Sequence, residues 1–405
     1  MNAMLGLPSG WAVGSWSIEK RTTDRIEAFR FSIKEQFVSC HRPPITLTIN
    51  NERFVMINTS SIAWLGLDAH SQNCLLAHLD DQGSERKWWR FRTQPDALIQ
   101  HVQAIPATDK RLMLEETNLA RWIAQLLRPH VQQLVVCDAR HNRLISSHPN
   151  KHDRRDAFAL ARLLRLNEYK PVWQPTDDAR VLFKRAAQAY DDAVRRQTRL
   201  KLQIKSLFQH WGLFPAGASV FSPADRTRWL QQLPHDLLRS QTRLLYQSLD
   251  QALLDQHQAR RLLLQAGRPF PEIGHLQTVP GVGVIGAHLF VAFVVDPSRF
   301  KEFSQLTRFC RLAIRDQSSD GKPLGFEQLD RQGHSLLKAI SYRAYLQAAK
   351  RKQGPVWNFY QTSLRQVGST THARLNTQRK IIKVMWTLWL QQTKFDPNEF
   401  SHAQT

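Results

Sequence analysis

Apolar positions change their spacing along the chain, and the changes divide it. From Trp64 onward the apolar runs are short. Trp64–Asp68 (WLGLD) closes on a carboxylate, Asn73–Leu79 reads as a second strand, Asp80–Gly83 as a turn and Arg86–Arg92 as a third strand. Pro95–Ile105 has helical spacing, Arg111–Glu115 is another strand ending on carboxylates, Asn118–Leu127 is helical, and Gln133–Cys137 is a fifth strand. Three hairpin-like strands followed by alternating strands and helices predict a mixed α/β sheet of RNase-H type.

Between Asp178 and Gly267 the period becomes helical. Leu182, Ala186, Ala189, Ala193, Leu200, Ile204 and Leu207 advance mostly by three or four, and Arg196 interrupts them. After a Gly/Pro-containing break over Trp211–Pro223, a second series runs through Leu238, Leu245, Leu249, Ala252, Ala259 and Leu263. Two such helices make either an antiparallel coiled coil, serving as a dimerisation arm, or a plain bundle inside one protomer. From Leu276 the chain is again mainly helical, with polar loops at Arg315–Lys322 and Gly368–Thr371. Before Trp64 the pattern is weak: a helix over Trp11–Phe37, then a break at Pro43-Pro44. The expected class is therefore α/β plus α in four parts. Residues 1–58 form an extension without assigned role, 59–172 the α/β domain, 173–268 the helical linker and 269–405 a mainly helical C-terminal domain.

Composition adds a partner. Of 405 residues, 42% are hydrophobic, enough for a packed core, yet 56 Lys and Arg face 34 Asp and Glu, a net charge of +22. Such an excess repels itself and is tolerated chiefly where a polyanion, usually nucleic acid, is bound. The basic residues are spread along the chain instead of gathered on one amphipathic segment, which argues against a membrane-surface protein. Cys40, Cys74, Cys137 and Cys310 stand apart without a CxxC pair, against both a disulfide framework and a zinc site. No run approaches ~20 apolar residues and no signal-peptide pattern opens the chain, so a cytoplasmic protein is expected.

Four carboxylates attract notice as a set. Two-metal phosphoryl transfer needs several of them converging on a pair of ions that bracket the attacking and leaving oxygens. Asp68 and Glu115 each end an apolar strand. Asp153 and Asp156, in HDRRDA, are three apart at the start of a helix running to Leu164 and so share one face. Singly, an Asp in a first helical turn usually caps it or meets the helix dipole, and Asp68 alone fits a strand-end turn. Gathered together, four like charges are costly without a cation such as Mg²⁺.

The C-terminal part offers a hydroxyl. Cys310–Lys322 reads CRLAIRDQSSDGK, placing Ser318 and Ser319 in a polar loop after a helix over Ser304–Cys310. An SSDG loop is ordinarily a turn. A serine attacks phosphorus only where charge is neutralised, and Arg311, Arg315 and Lys322 stand close in sequence for that role. Upstream, Thr278–Gly283 (TVPGVG) resembles the turn of a helix-hairpin-helix, in which Gly281 and Gly283 would present backbone N–H groups to phosphate.

Together these segments resemble one family, the DEDD-type insertion-sequence transposases with a C-terminal serine, relatives of the pilin-gene inverting recombinases. Leu65–Asp68 is similar to the family's first strand and acid, and Leu114–Asn118 to its Glu-Ala-Thr-Gly stretch. Pro149–Ala157 (PNKHDRRDA) resembles its Asn-Lys-x-Asp-x-x-Asp-Ala signature, the most specific match. Val279–Gly283, Asp296–Phe300 and Arg379–Pro397 resemble parts of its transposase domain. The resemblance implies an RNase-H-like (RuvC-like) domain, a coiled coil and a helical serine domain. It implies Asp68, Glu115, Asp153 and Asp156 as Mg²⁺ ligands and Ser319 as a nucleophile forming a phosphoserine–DNA intermediate. It further implies a structured guide RNA and a homodimer or homotetramer in which the two sites meet. Arg311, Ile314 and Asp320 stand where the family usually has Gly, Pro and Gly, which stiffens or charges the serine loop. Ser318 is the second choice of nucleophile and Glu116 the lesser choice of second acid. Two rivals are a junction-resolving nuclease using the four acids and water, and a catalytically decayed nucleic-acid-binding protein.

Overall fold

The computed structural model describes residues 47–50, 53–56, 61–138, 153–175, 177–315, 318–319, 322–323 and 328–401. The helix expected over Trp11–Phe37, the start of the PNKHDRRDA motif and Asp320-Gly321 lie outside them. A small hairpin, β1 (Leu47–Asn50) with β2 (Arg53–Met56), precedes the main sheet.

The main sheet has five strands: β3 (Ile62–Ala69), β4 (Asn73–Leu79), β5 (Glu85–Arg92), β6 (Asp109–Glu115) and β7 (Gln133–Cys137). Their spatial order is β5-β4-β3-β6-β7, with β4 antiparallel to both β3 and β5, and β6 and β7 parallel to β3. Both faces of the centre are covered, so β3 reads as a continuous apolar run instead of an alternation. Ala63, Leu65 and Leu67 pack against α1 (Pro95–Gln103) and α2 (Ala120–Leu127). Trp64, Gly66 and Asp68 look the other way, toward α3 (Asp153–Leu166), whose Ala157, Leu160, Ala161 and Leu164 are buried.

Two long helices follow, α4 (Asp178–His210) and α5 (Asp236–Gly267 after a short helical turn at Arg226–Gln231). They run antiparallel: Arg196 Nη1 donates to Asp255 Oδ2 at 2.9 Å, and Ile204 and Phe208 pack with Tyr246 and Leu249 at the far end. At the near end Phe183, Ala187 and Leu263 enter a second, larger core. The two helices thus pack on each other within the chain.

That second core surrounds α6 (Val284–Val294), in which every residue from Ala287 to Val294 is buried. Packed around it are α7 (Glu272–Gln277), α8 (Phe303–Phe309), α9 (Ser335–Arg351), α10 (Pro355–Val367) and α11 (Thr370–Gln391). The architecture is a mixed α/β sheet followed by a mostly helical C-terminal region. Among the described residues no helix is long and apolar enough to cross a membrane.

Candidate functional site

The site begins at a glycine. Gly66 lies on the α3 face of β3, and a Cβ there would stand 1.9 Å from the carbonyl oxygen of Ala157 and 2.7 Å from the amide nitrogen of Ala161. Backbone meets backbone, which only a residue without a side chain permits. This contact draws the first turn of α3, with Asp153 and Asp156, down to the end of β3. Asp68, two residues beyond Gly66 on the same face, meets them there.

Oxygens of Asp68 and Asp153 and a ring nitrogen of His70 all lie within 4.8 Å of one another. His70 Nε2 is 3.2 Å from Asp68 Oδ2, and Arg90 Nη2 from β5 is 3.8 Å from Asp153 Oδ2. Burial pushes the Asp68 carboxyl above its usual range. The charges of Asp153 and Asp156 push it further up, and His70 opposes them. Asp68 is mostly buried, its side chain 18% exposed, whereas Asp153 is about half exposed. A cleft of about 320 Å³ opens between the β3–β4 turn, Arg90 and Asp153.

The fourth carboxylate is aligned by register. Leu67 pairs with Leu114 across parallel strands, so Glu115 follows β6 as Asp68 follows β3, at the same end of the sheet. Met113, two residues earlier, packs on the α3 side, which sets Glu115 on the face of Asp68. Glu116 is exposed and its charge acts on Lys184 of α4.

His70 was not singled out by the sequence pattern, although a signal exists: residues two apart on an extended strand share a face. Its place is fixed by backbone bonds. His70 N–H donates to the Asn73 carbonyl at 3.0 Å, and Thr93 Oγ1 donates to the His70 carbonyl at 2.6 Å. Arg90 was read only as part of a strand.

The remaining candidates sit in the C-terminal half. Ile314–Arg315 pairs with Gln328–Leu329, and Ser318–Ser319 with Lys322–Pro323. Within the expected polar loop, the described residues Ser318-Ser319 and Lys322-Pro323 are thus antiparallel strands with Ser319 opposite Lys322. None of the described contacts joins it to the carboxylates. Arg311 has φ +56°, a conformation natural to glycine, and its Nε donates to the Gly333 carbonyl at 2.8 Å. Gly281 (φ +83°) is pressed on α9, where a Cβ would lie 2.7 Å from the Ala344 oxygen. Packing thus accounts for Gly281, while Gly283, at the N-terminus of α6, has open space around it.

Comparison with known proteins agrees with this division. A transposase family model of the DEDD, IS110 type matches residues 65–212, from the strand before Asp68 through α4. A second, described as "Transposase IS116/IS110/IS902 family", matches residues 274–361. Among curated proteins, the transposase for insertion sequence element IS1111A of Coxiella burnetii (strain RSA 493 / Nine Mile phase I) is 28% identical over 224 residues, 50% of this chain and 57% of that one. The protein y4qE of Sinorhizobium fredii (strain NBRC 101917 / NGR234), provisionally named a transposase, is 25% identical over 244 residues, 57% of this chain and 58% of its own. The matched region spans a little over half the length of these relatives. Both parts of the chain are thus similar to transposase domains of the IS110/IS116 type.

Proposed function

We propose that the protein is a transposase that cuts and rejoins DNA at the carboxylate cluster with help from divalent cations. The observation that carries this reading is the convergence of Asp68, Asp153 and Asp156 on one sheet face, with Glu115 aligned at the same end. The donor set fits a divalent ion: hard carboxylate oxygens with one imidazole, in a place where like charges already strain one another. When bound, Mg²⁺ or a similar ion would supply charge neutralisation at the phosphodiester. Asp68, Glu115, Asp153 and Asp156 would hold it, His70 would add an imidazole nitrogen beside Asp68, and Arg90 offsets Asp153.

The fold of the first domain is in this reading RNase-H-like (RuvC-like), supported by its three antiparallel strands followed by two parallel ones. Ser319 is the proposed nucleophile. Its Oγ attacks the phosphorus, the bond to the 3′ oxygen breaks, the hydroxyl proton passes to that leaving oxygen, and a phosphoserine ester remains on the 5′ side. The freed 3′-hydroxyl later attacks phosphorus in turn. In this reading the hairpin of one protomer meets the carboxylates of another in a dimer or tetramer. A structured guide RNA would select the DNA, giving the net charge of +22 a second polyanion.

The test is incubation of the full chain with the element's DNA ends, the RNA transcribed beside them and Mg²⁺, followed by a search for protein covalently attached to a DNA 5′ end. Asp68→Asn and Ser319→Ala should each abolish that species. The altered serine loop, with Arg311, Ile314 and Asp320 where the resembled family usually has Gly, Pro and Gly, favours a second reading, in which water is the nucleophile. Replacing Ser318 and Ser319 together decides between them, because a water-using nuclease keeps cutting.

A further inference from the structure

The sheet face that carries Asp68 continues past α3 onto the edge strand β5. Successive residues there face opposite sides. Trp89 and Phe91 pack toward α1 and α2, so Trp88, Arg90 and Arg92 face the side of Asp68 and α3, and Arg86 precedes them at a shift of register where Glu85 pairs with Leu79. These four are solvent-exposed: the Arg86 and Arg90 side chains by 63% and 61%, Trp88 by 40%, and Arg92 also counts as exposed. From α3, the Arg154 guanidinium lies 5.5 Å from the Trp88 ring centre. The acids near this row are engaged: Asp80 with Arg86, and Glu85 with Arg154 and Arg162. The row leads into the site through Arg90, beside Asp153.

An exposed tryptophan flanked by arginines at the edge of a sheet is expensive decoration for a structural strand. It has the chemistry of a platform for a flexible polynucleotide, in which guanidinium groups track phosphates and the indole stacks on a base of any identity. We propose that Arg86, Trp88, Arg90 and Arg92, with Arg154, bind a single strand of DNA and lead it to the Asp68–Asp153 cluster. DNA is preferred to RNA because the row is continuous with the carboxylates, and this choice rests on the DNA-cutting function proposed above. Arg90 both touches the cluster and joins the row, so it is left out of the test.

The experiment measures binding of a fluorescent single-stranded deoxyoligonucleotide to the full chain, in chelator and over a salt series. Trp88→Ala should weaken binding about 5- to 150-fold, while Trp88→Phe retains most of it. Arg86→Ala with Arg92→Ala should flatten the logarithmic salt dependence by about 1.4, roughly 0.7 for each phosphate that is no longer neutralised. Unchanged thermal midpoints confirm that the variants fold. Wild-type affinity and slope in all of these variants would overturn the proposal, and so would a loss confined to a structured RNA competitor. Because chelator removes cleavage from the measurement, persistent cutting by Asp68→Asn would sink the catalytic reading separately, without touching the binding result.

Discussion

Replacing Gly66 by alanine puts a methyl group where the α3 backbone already is. The added Cβ would lie 1.9 Å from the Ala157 oxygen and 2.7 Å from the Ala161 nitrogen, against 3.4–4 Å for ordinary contact. Neither atom belongs to a flexible side chain, so α3 as a whole must retreat by about 1.5 Å, the difference between the first distance and ordinary contact. Overpacking of this kind costs ~1–3 kcal/mol. The functional loss should be larger than the stability loss suggests, because Asp156 precedes Ala157 directly and Asp153 stands one turn earlier. Moving both away from Asp68 by more than an ångström should lower strand cleavage by roughly a hundredfold. Urea midpoints give the stability, the rise of the thermal midpoint with divalent cation gives the site, and cleavage of an end-labelled substrate gives activity. Gly274→Ala in α7 is the control: its Cβ meets nothing within 4 Å, and the change should be neutral or stabilise by ~0.4–1 kcal/mol. If Gly66→Ala keeps wild-type stability and cleavage, the packing of α3 on β3 does not set the site.

Three further outcomes can be measured. Asp68→Asn should raise the melting midpoint of the metal-free chain at neutral pH and abolish its response to divalent cations. The folded chain holds the Asp68 proton more tightly than the unfolded chain, so the penalty is absent below the ordinary value of 3.8 and full above the raised one. The gap between variant and wild type should accordingly close as pH falls toward 3.8, and a variant that melts lower at neutral pH speaks against the argument. His70→Ala should weaken Mn²⁺ binding by roughly tenfold and Mg²⁺ binding less, since imidazole nitrogen suits the softer ion; equal losses in a titration of both ions would remove His70 from the shell. Arg180→Ala should cost ~3–5 kcal/mol in urea unfolding, because it strands Glu272. That side chain is only 3% exposed and accepts from Arg180 Nη1 at 2.8 Å. A cost near zero would show that Glu272 finds water instead.

Much of the sheet could be read from the chain because its strands are short apolar runs between turn residues. Asn73–Leu79 and Gln133–Cys137 were expected to the residue, and β3, β5 and β6 extend the expected strands by one to three residues. The pairing order was not legible, because Leu65 and Leu67 look alike whether their neighbour is β4 or β6. Gly66 shows the same limit in another way. Its role comes from α3, some ninety residues later, and nothing local distinguishes it from a turn glycine. The serine segment reads as a loop in the sequence because Ser318-Ser319 has little strand propensity. The extended form of Ser318-Ser319 rests on cross-strand pairing with Lys322-Pro323. His70 escaped notice for a simpler reason: it lies past the end of the apolar run, where the strand pattern has already stopped.

The net charge of +22 pointed to a polyanion, but charge summed over a sequence does not say which cations are free to meet one. Several arginines are already engaged inside the fold. Arg226 is bidentate to Asp250 at 2.6 and 2.7 Å, its guanidinium 4.6 Å from the Tyr246 ring centre. Arg299 is held among Trp173, Phe300 and Phe309, and burial brings its pKa down to about 10. Arg379 Nε donates to the Leu312 carbonyl. Removing any of these would weaken nucleic-acid binding only by loosening the protein. The arginines of β5 differ in kind, since their side chains stand mostly in water even where Asp80 meets Arg86 and Asp153 meets Arg90. The distinction is physical before it is functional: a buried guanidinium has already exchanged its hydration for aromatic faces and carbonyls, and only an exposed one can make that exchange with a phosphate.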